Sequence, residues 1–240
     1  MARRISRRTA KRKGPGWGAR LIALVLLLAM IGAAVGWWKG RQWRPDEARW
    51  PDQGALVSQE NGEVNFGTLK GLGASFVYLE ASRGEEGQHA AFPDSRATAH
   101  AARLQTGAVH VFDPCALADG QSANFVTMVP RDVELLPPVI ALRETAEDCP
   151  QSVSRAAIQS ELMTLVNQIE AHAGKPAILL LSEEFEERYG VAARIDRNLW
   201  LERDWFEPGY AGRPWLLWTA NAKLVTEAAD EPLAWAVVRP

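Results

Sequence analysis

Leu136-Pro137-Pro138-Val139-Ile140-Ala141-Leu142-Arg143 is the stretch from which the fold reads. Residues 138–142 form a nearly continuous apolar run, the pattern of a parallel strand covered on both faces. Seven further apolar or β-branched runs flank it, at 54–58, 75–81, 107–112, 176–182, 199–203, 214–219 and 233–238. Helix-like segments fall between them. Residues 152–173 are the clearest, since Ile158, Leu162, Leu165 and Ile169 recur at the spacing of one helical face. Ser152 is placed to cap its start and Gly174 its end, and Pro176 forbids continuation. Residues 94–104 read as a shorter Ala-rich helix closed by Gly107, and 65–72 and 119–128 as short helices. After residue 183 the connections shorten and helices thin out. The expected fold is α/β, an irregular (β/α) TIM-like barrel of eight strands with reduced helices in its second half.

The 240-residue chain is 47% hydrophobic and 23% charged, ordinary for a globular protein. Its net charge of −2 conceals two opposite regions. Residues 1–44 carry 11 of the Lys/Arg and no Asp/Glu, whereas residues 45–240 carry the other 16 Lys/Arg and all 29 Asp/Glu. The basic arm, residues 1–20, precedes Leu21–Trp38, an uncharged run of 18 residues that spans about 27 Å as a helix, enough for a bilayer core. Trp37, Trp38 and Trp43 stand where an interfacial aromatic belt belongs. A basic flank before such a span keeps the N-terminus cytoplasmic. The arm therefore reads as a topogenic signal, and no nucleic-acid partner is expected. The bulky Trp pair and the long arm favour an uncleaved signal-anchor over a cleaved signal peptide, although Gly32-Ala33-Ala34 would suit cleavage. Residues 39–53 read as a linker and 54–240 as the exported domain. Export to the periplasm or cell exterior would let the only cysteines, Cys115 and Cys149, form a disulfide. Each follows a strand end, which puts both at one mouth of the barrel.

In order and spacing, these runs resemble the glycoside hydrolase family 25 lysozymes (muramidases). Gly54 to Gln59 is similar to the family's Gly-Ile-Asp-Val-Ser-x. Phe76 to Gly84 resembles Phe-Val-Tyr-Ile-Lys-Ala-Thr-Glu-Gly, and Gly107 to Phe112 resembles Gly-Ala-Tyr-His-Phe-Phe. Leu136 to Arg143 matches Leu-Pro-Pro-Val, an apolar residue, then Asp-Leu-Glu. Gly174 to Leu179, Leu199 to Leu201 and Trp215 to Trp218 extend the match over nearly all of 54–240, and the cysteine pair is similar to a bacterial branch. The resemblance implies a cell-wall glycan as ligand. It also implies acids at Leu56, Ala141 and Arg143, at Arg83, and at Pro232 or Ala234. This chain has none of them.

Glycoside cleavage needs a group that protonates the leaving oxygen and a second that supports the oxocarbenium-like state. Leu and Ala can do neither, and Arg143 keeps its proton at any physiological pH. Possible relocated acids are Glu80, Asp113, Glu144, Glu202 and Asp204, all near strand ends. Glu144 lies one residue beyond the family's Glu, so in strict register it points to the opposite face unless a bulge returns it. His110 reads either as a groove residue that binds sugar hydroxyls or as a hydrogen-bonded core histidine. Trp200 and Trp218 are candidates for stacking on sugar rings, with Glu202 beside them. His89, His100 and His172 show no metal-ligand spacing, and no metal or cofactor is expected.

The sequence supports a membrane-anchored, lysozyme-like barrel in the cell envelope, single-pass in the cytoplasmic membrane, binding peptidoglycan or a related glycan without muramidase activity. Two alternatives stay open: an active hydrolase with displaced acids, and a protein-interaction scaffold. An open groove keeping Trp200, Trp218 and His110 accessible favours the first reading. Two carboxylates roughly 5–9.5 Å apart there favour a hydrolase, and a groove filled by side chains such as Leu56 and Arg143 favours a scaffold.

Overall fold

The computed structural model describes residues 17–240, so most of the basic arm lies outside the described residues. Helix α1, Trp17–Arg41, holds the apolar run. Within it, Arg20–Arg41 is long and apolar enough to cross a membrane, a property that a signal sequence shares. Its large apolar side chains are exposed along the whole length, from Leu21 to Trp38.

A second compact unit begins at Arg41. Its strands are β1 (Gln53–Val57), β2 (Ala74–Arg83), β3 (Gly87–Gln88), β4 (Gln105–Val111), β5 (Val139–Leu142), β6 (Ile178–Leu181), β7 (Asn198–Glu202), β8 (Leu217–Leu224) and β9 (Leu233–Val238). β3 only extends β2 as a short hairpin. The other eight close into a barrel in the order β1-β2-β4-β5-β6-β7-β8-β9, with β9 returning to β1. Seven run parallel. β9 is antiparallel to both neighbours, because the chain returns from β8 through residues 225–232 without a crossover helix.

Alternate residues point inward, as the two-residue period requires. Leu56, Phe76, Tyr78, Val109, Val111, Val139, Ala141, Ile178, Leu180, Trp200, Leu217 and Ala236 fill the interior. Glycines make room for the rings. A Cβ on Gly107 would lie 2.2 Å from the Tyr78 ring, and one on Gly54 would lie 2.3 Å from the Phe76 carbonyl oxygen. Gly107 therefore does not close the preceding helix. That helix, α3 (Phe92–Ala101), ends earlier, and Arg103 makes the turn at φ 60°.

The outward residues pack under α2 (Phe66–Gly71), α3, α4 (Ala118–Met128), α5 (Arg155–Ala173) and α6 (Glu183–Tyr189). α5 starts two residues later than its apolar pattern suggested. Ser154, not Ser152, caps it by accepting the Ala157 N–H, and Gly174 ends it in the left-handed conformation. No helix follows β7 among the described residues.

Residues 41–52 take the place of those helices. Trp50 is 6% exposed, packed 5.9 Å from Trp215 and 5.6 Å from Trp218. The buried Gln53 amide donates to the carbonyls of Pro45 and Trp50, and its oxygen accepts the Trp235 indole N–H. Trp43 packs against the core and gives its carbonyl to Asn221. The stretch expected as a linker is a packed strap.

The Cys115–Cys149 disulfide forms as expected, joining the loops after β4 and β5 with α-carbons 5.3 Å apart. Closing a loop of 34 residues stabilises the fold by about 3–4 kcal/mol.

Candidate functional site

The ends of the parallel strands define one mouth of the barrel. A groove of about 530 Å³ opens there, lined by Leu56, Ser58, Glu60, Asn61, Arg143, Glu202, Ala222, Lys223, Glu231, Pro232 and Ala234. The loop after β1 supplies Ser58 to Asn61. It is folded tightly because the Asn61 carboxamide oxygen accepts both the Ser58 N–H and the Ser58 hydroxyl, and its amide donates to the Pro232 carbonyl. Two walls of the groove are thus tied together.

Arg143 stands at the end of β5. Its Nε and Nη2 donate to the two oxygens of Glu202, at 3.0 and 2.6 Å. Burial works to lower the Arg143 pKa, but Glu202, with Glu80 and Glu60 farther off, outweighs it and holds the guanidinium above its ordinary value. A fixed cation therefore sits in the groove. A second arginine repeats the pattern on the neighbouring rim, where Arg83 donates to Glu80 at 3.2 Å and to Glu144 at 2.9 Å. The pairing of β2 with β4 shifts between Glu80 and Ser82. This bulge lets Glu80 and Arg83 meet. A bulge thus occurs at the mouth, but in β2 and not beside Glu144.

Leu56, Arg143, Pro232 and Ala234 all line the groove, and Ala141 lies fully buried below it. Of the possible relocated acids, Glu80 and Glu144 share Arg83, and Glu202 belongs to Arg143. Asp113 accepts the Cys115 N–H and Asp204 the Ala222 N–H.

Three expected groove residues lie elsewhere. His110 is 0% exposed and faces the helix layer. Its Nδ1 lies 2.9 Å from the Ser82 hydroxyl, its Nε2 lies 3.2 Å from the Gln121 oxygen, and its ring meets Phe125 edge-on. The Gln121 oxygen also accepts the Asp113 N–H, so Nε2 carries the proton and Ser82 donates to Nδ1. Burial lowers its pKa to about 4. It is the core histidine of the two readings. Trp200 is sealed inside the barrel, edge-on to Tyr78 and donating to the Thr219 hydroxyl at 2.8 Å. Trp218 faces outward beneath the strap and donates to the Arg203 carbonyl. Only Glu202 of that group reaches the groove.

Sequence reading missed Glu60, Asn61, Lys223 and Glu231. Glu60, Asn61 and Glu231 stand in short connections next to strand ends and Lys223 stands near the end of β8, and that position was the available signal. A larger hollow of about 680 Å³ lies at the opposite end of the barrel, where Arg96 pairs with Asp132 and His100 lies 3.8 Å from Glu134. Among the described residues no three His, Cys, Asp or Glu side chains come together as metal ligands.

The model of the glycosyl hydrolases family 25 matches residues 57–219, and the chain belongs to that family. Solved structures agree on the fold. A family 25 glycosyl hydrolase from Bacillus anthracis superposes with a TM-score of 0.73 at 22% identity, covering 83% of this chain and 93% of that one. A bacterial lysozyme from Streptomyces coelicolor gives 0.69 at 19% identity, covering 79% and 92%. A muramidase from Trichobolus zukalii gives 0.67 at 17%, covering 79% and 94%. No curated protein matches the chain by sequence.

Proposed function

We propose that this chain is a membrane-anchored, exported member of the family whose barrel binds peptidoglycan or a related glycan without cleaving it. One observation carries the reading: the ion pair of Arg143 with Glu202 occupies the groove where the resemblance calls for carboxylic acids. A general acid must hold a proton at working pH, which asks for a raised pKa. An arginine cannot release its proton, and both oxygens of the Glu202 carboxylate are occupied by guanidinium N–H groups. The groove itself stays open at about 530 Å³, wide enough to take part of a polar ligand. Its ring of Ser58, Asn61, Glu60, Lys223 and Glu231 offers both donors and acceptors to sugar hydroxyls. The basic arm and the apolar α1 support a single pass through the cytoplasmic membrane with the barrel outside.

One observation favours the scaffold reading: no aromatic ring lines the groove, so stacking on a sugar face is missing there. Of the relocated acids considered from the sequence, Glu80, Glu144 and Glu202 are all bound to arginines.

The test uses the full-length chain in detergent with purified, insoluble peptidoglycan. Co-sedimentation without release of reducing sugar is expected. Release that Glu202→Gln or Glu144→Gln abolishes would make the protein a hydrolase. Neither release nor co-sedimentation would leave the scaffold reading.

A further inference from the structure

We infer that the loop after β7, through Trp205 and Phe206, seats in the lipid–water interface of the membrane in which α1 is anchored. The inference rests on the anchoring proposed above. Trp205 is 52% exposed and Phe206 67%. Of the other barrel tryptophans, Trp50, Trp200, Trp215, Trp218 and Trp235 are buried and Trp43 is half-buried. Trp205 also adopts φ 66°, a conformation that bulky residues rarely take and that persists only where the surroundings enforce it. The enforcement is visible. The Trp205 N–H donates to the Ala220 carbonyl at 2.8 Å, the Phe206 N–H to the Asp204 carbonyl at 2.9 Å, and the Asp204 carboxylate accepts the Ala222 N–H at 2.6 Å. β8 holds the loop with its two rings exposed.

The same strand holds the chain where it leaves for the apolar helix. Asn221, next to Ala220, donates to the Trp43 carbonyl, and the Val225 N–H donates to the carbonyl of Arg41, the last residue of α1. The strap after Arg41 is packed against the barrel. An exposed Trp-Phe pair at that place matches the aromatic belt at membrane interfaces, where an indole keeps its N–H in the headgroup layer and an apolar ring seats deeper. Neither ring lines the mouth groove, and Phe206 has no polar group with which to orient a sugar.

Cys115 and Cys149 are bonded to each other, so a thiol label reaches only an introduced cysteine. The full-length chain is reconstituted in phosphatidylglycerol–phosphatidylethanolamine vesicles with a nitroxide at Phe206→Cys, or at Val133→Cys on the opposite end of the barrel, where residue 133 is 87% exposed. The label at 206 is expected to collide several-fold more with lipid-dissolved oxygen, and several-fold less with a water-soluble nickel chelate, than the label at 133. Chain that floats with the vesicles but gives equal collision rates at the two sites overturns this inference alone. Chain that fails to float overturns the anchoring and this inference together.

Discussion

The interior of the barrel and its mouth are built by the same strands, yet they obey different rules. Two residues apart on β7, Trp200 is sealed among apolar side chains and Glu202 pairs with an arginine at the groove. On β5, Ala141 packs inside and Arg143 reaches out. The interior tolerates only what fits, because packing there is dense and the Phe76 and Tyr78 rings have Gly54 and Gly107 set against them. The mouth tolerates a change of charge, because solvent and neighbouring ions absorb it. The comparison shows that the positions that specify the barrel and those that line its mouth share strands but not constraints.

The largest effect should follow from attacking the interior. Trp200→Ala removes a fully buried ring that packs on Tyr78 and satisfies Thr219. The expected loss is about 3–5 kcal/mol of unfolding free energy, read by urea denaturation of the detergent-solubilised chain. A loss below about 1 kcal/mol would mean that the interior repacks freely and that the contrast with the mouth is false.

A smaller effect should come from His110, between the barrel wall and α4. Folding lowers its pKa from about 6.5 to about 4, so between those values the unfolded chain binds a proton that the folded chain refuses. Stability from this group is complete above about pH 6.5 and is lost as pH falls toward 4. The expected loss between pH 7 and pH 5 is about 2 kcal/mol, in a window above the titration of ordinary carboxylates. His110→Gln should flatten that slope. An unchanged slope would assign the acid sensitivity to other groups.

The sequence made the strands legible because buried parallel strands are apolar on both faces, as residues 138–142 and 176–182 are. It did not reveal the reversed direction of β9, since strand composition carries no direction. The 13 residues between the runs at 214–219 and 233–238 left room for a crossover, whereas β8 extends to Leu224 and leaves only eight. The absent acids were legible residue by residue. The groove's actual lining was not, because Glu60, Asn61 and Glu231 sit on loops whose folding depends on distant partners such as Pro232, and Lys223 sits on a part of β8 that extends beyond the apolar run. Trp200 and Trp218 illustrate the same limit. Richness in tryptophan suggested a sugar platform, but each lies below the strand end, one inside the wall and one outside it. The strap misled for a physical reason too. Its Arg, Pro and Asp content reads as linker, and its anchorage comes from Trp50 against Trp215 and from the Gln53 amide, contacts invisible along the chain.

The smallest expected effect is at the mouth, and it tests the contrast most finely. Arg143 and Glu202 form a bidentate pair whose side chains are 31% and 19% exposed. Removing one partner strands the other. Glu202→Gln should therefore cost about 1–2 kcal/mol, and Arg143→Met a similar amount. Replacing both should cost less than either alone, since no charge is then left without its partner. The coupling measured by the double-mutant cycle should then exceed the larger single loss, about 2 kcal/mol, falling as salt is raised. Reducing-sugar release from peptidoglycan should stay at the blank in all four proteins, because neither residue supplies a proton to a leaving group. Two results would break the comparison. Strictly additive losses would mean that the pair is not a unit and that Arg143 is held by Glu80 and Glu60 instead. Release that appears in Arg143→Met, where Glu202 is freed from its guanidinium, would mean that the arginine masks a working acid.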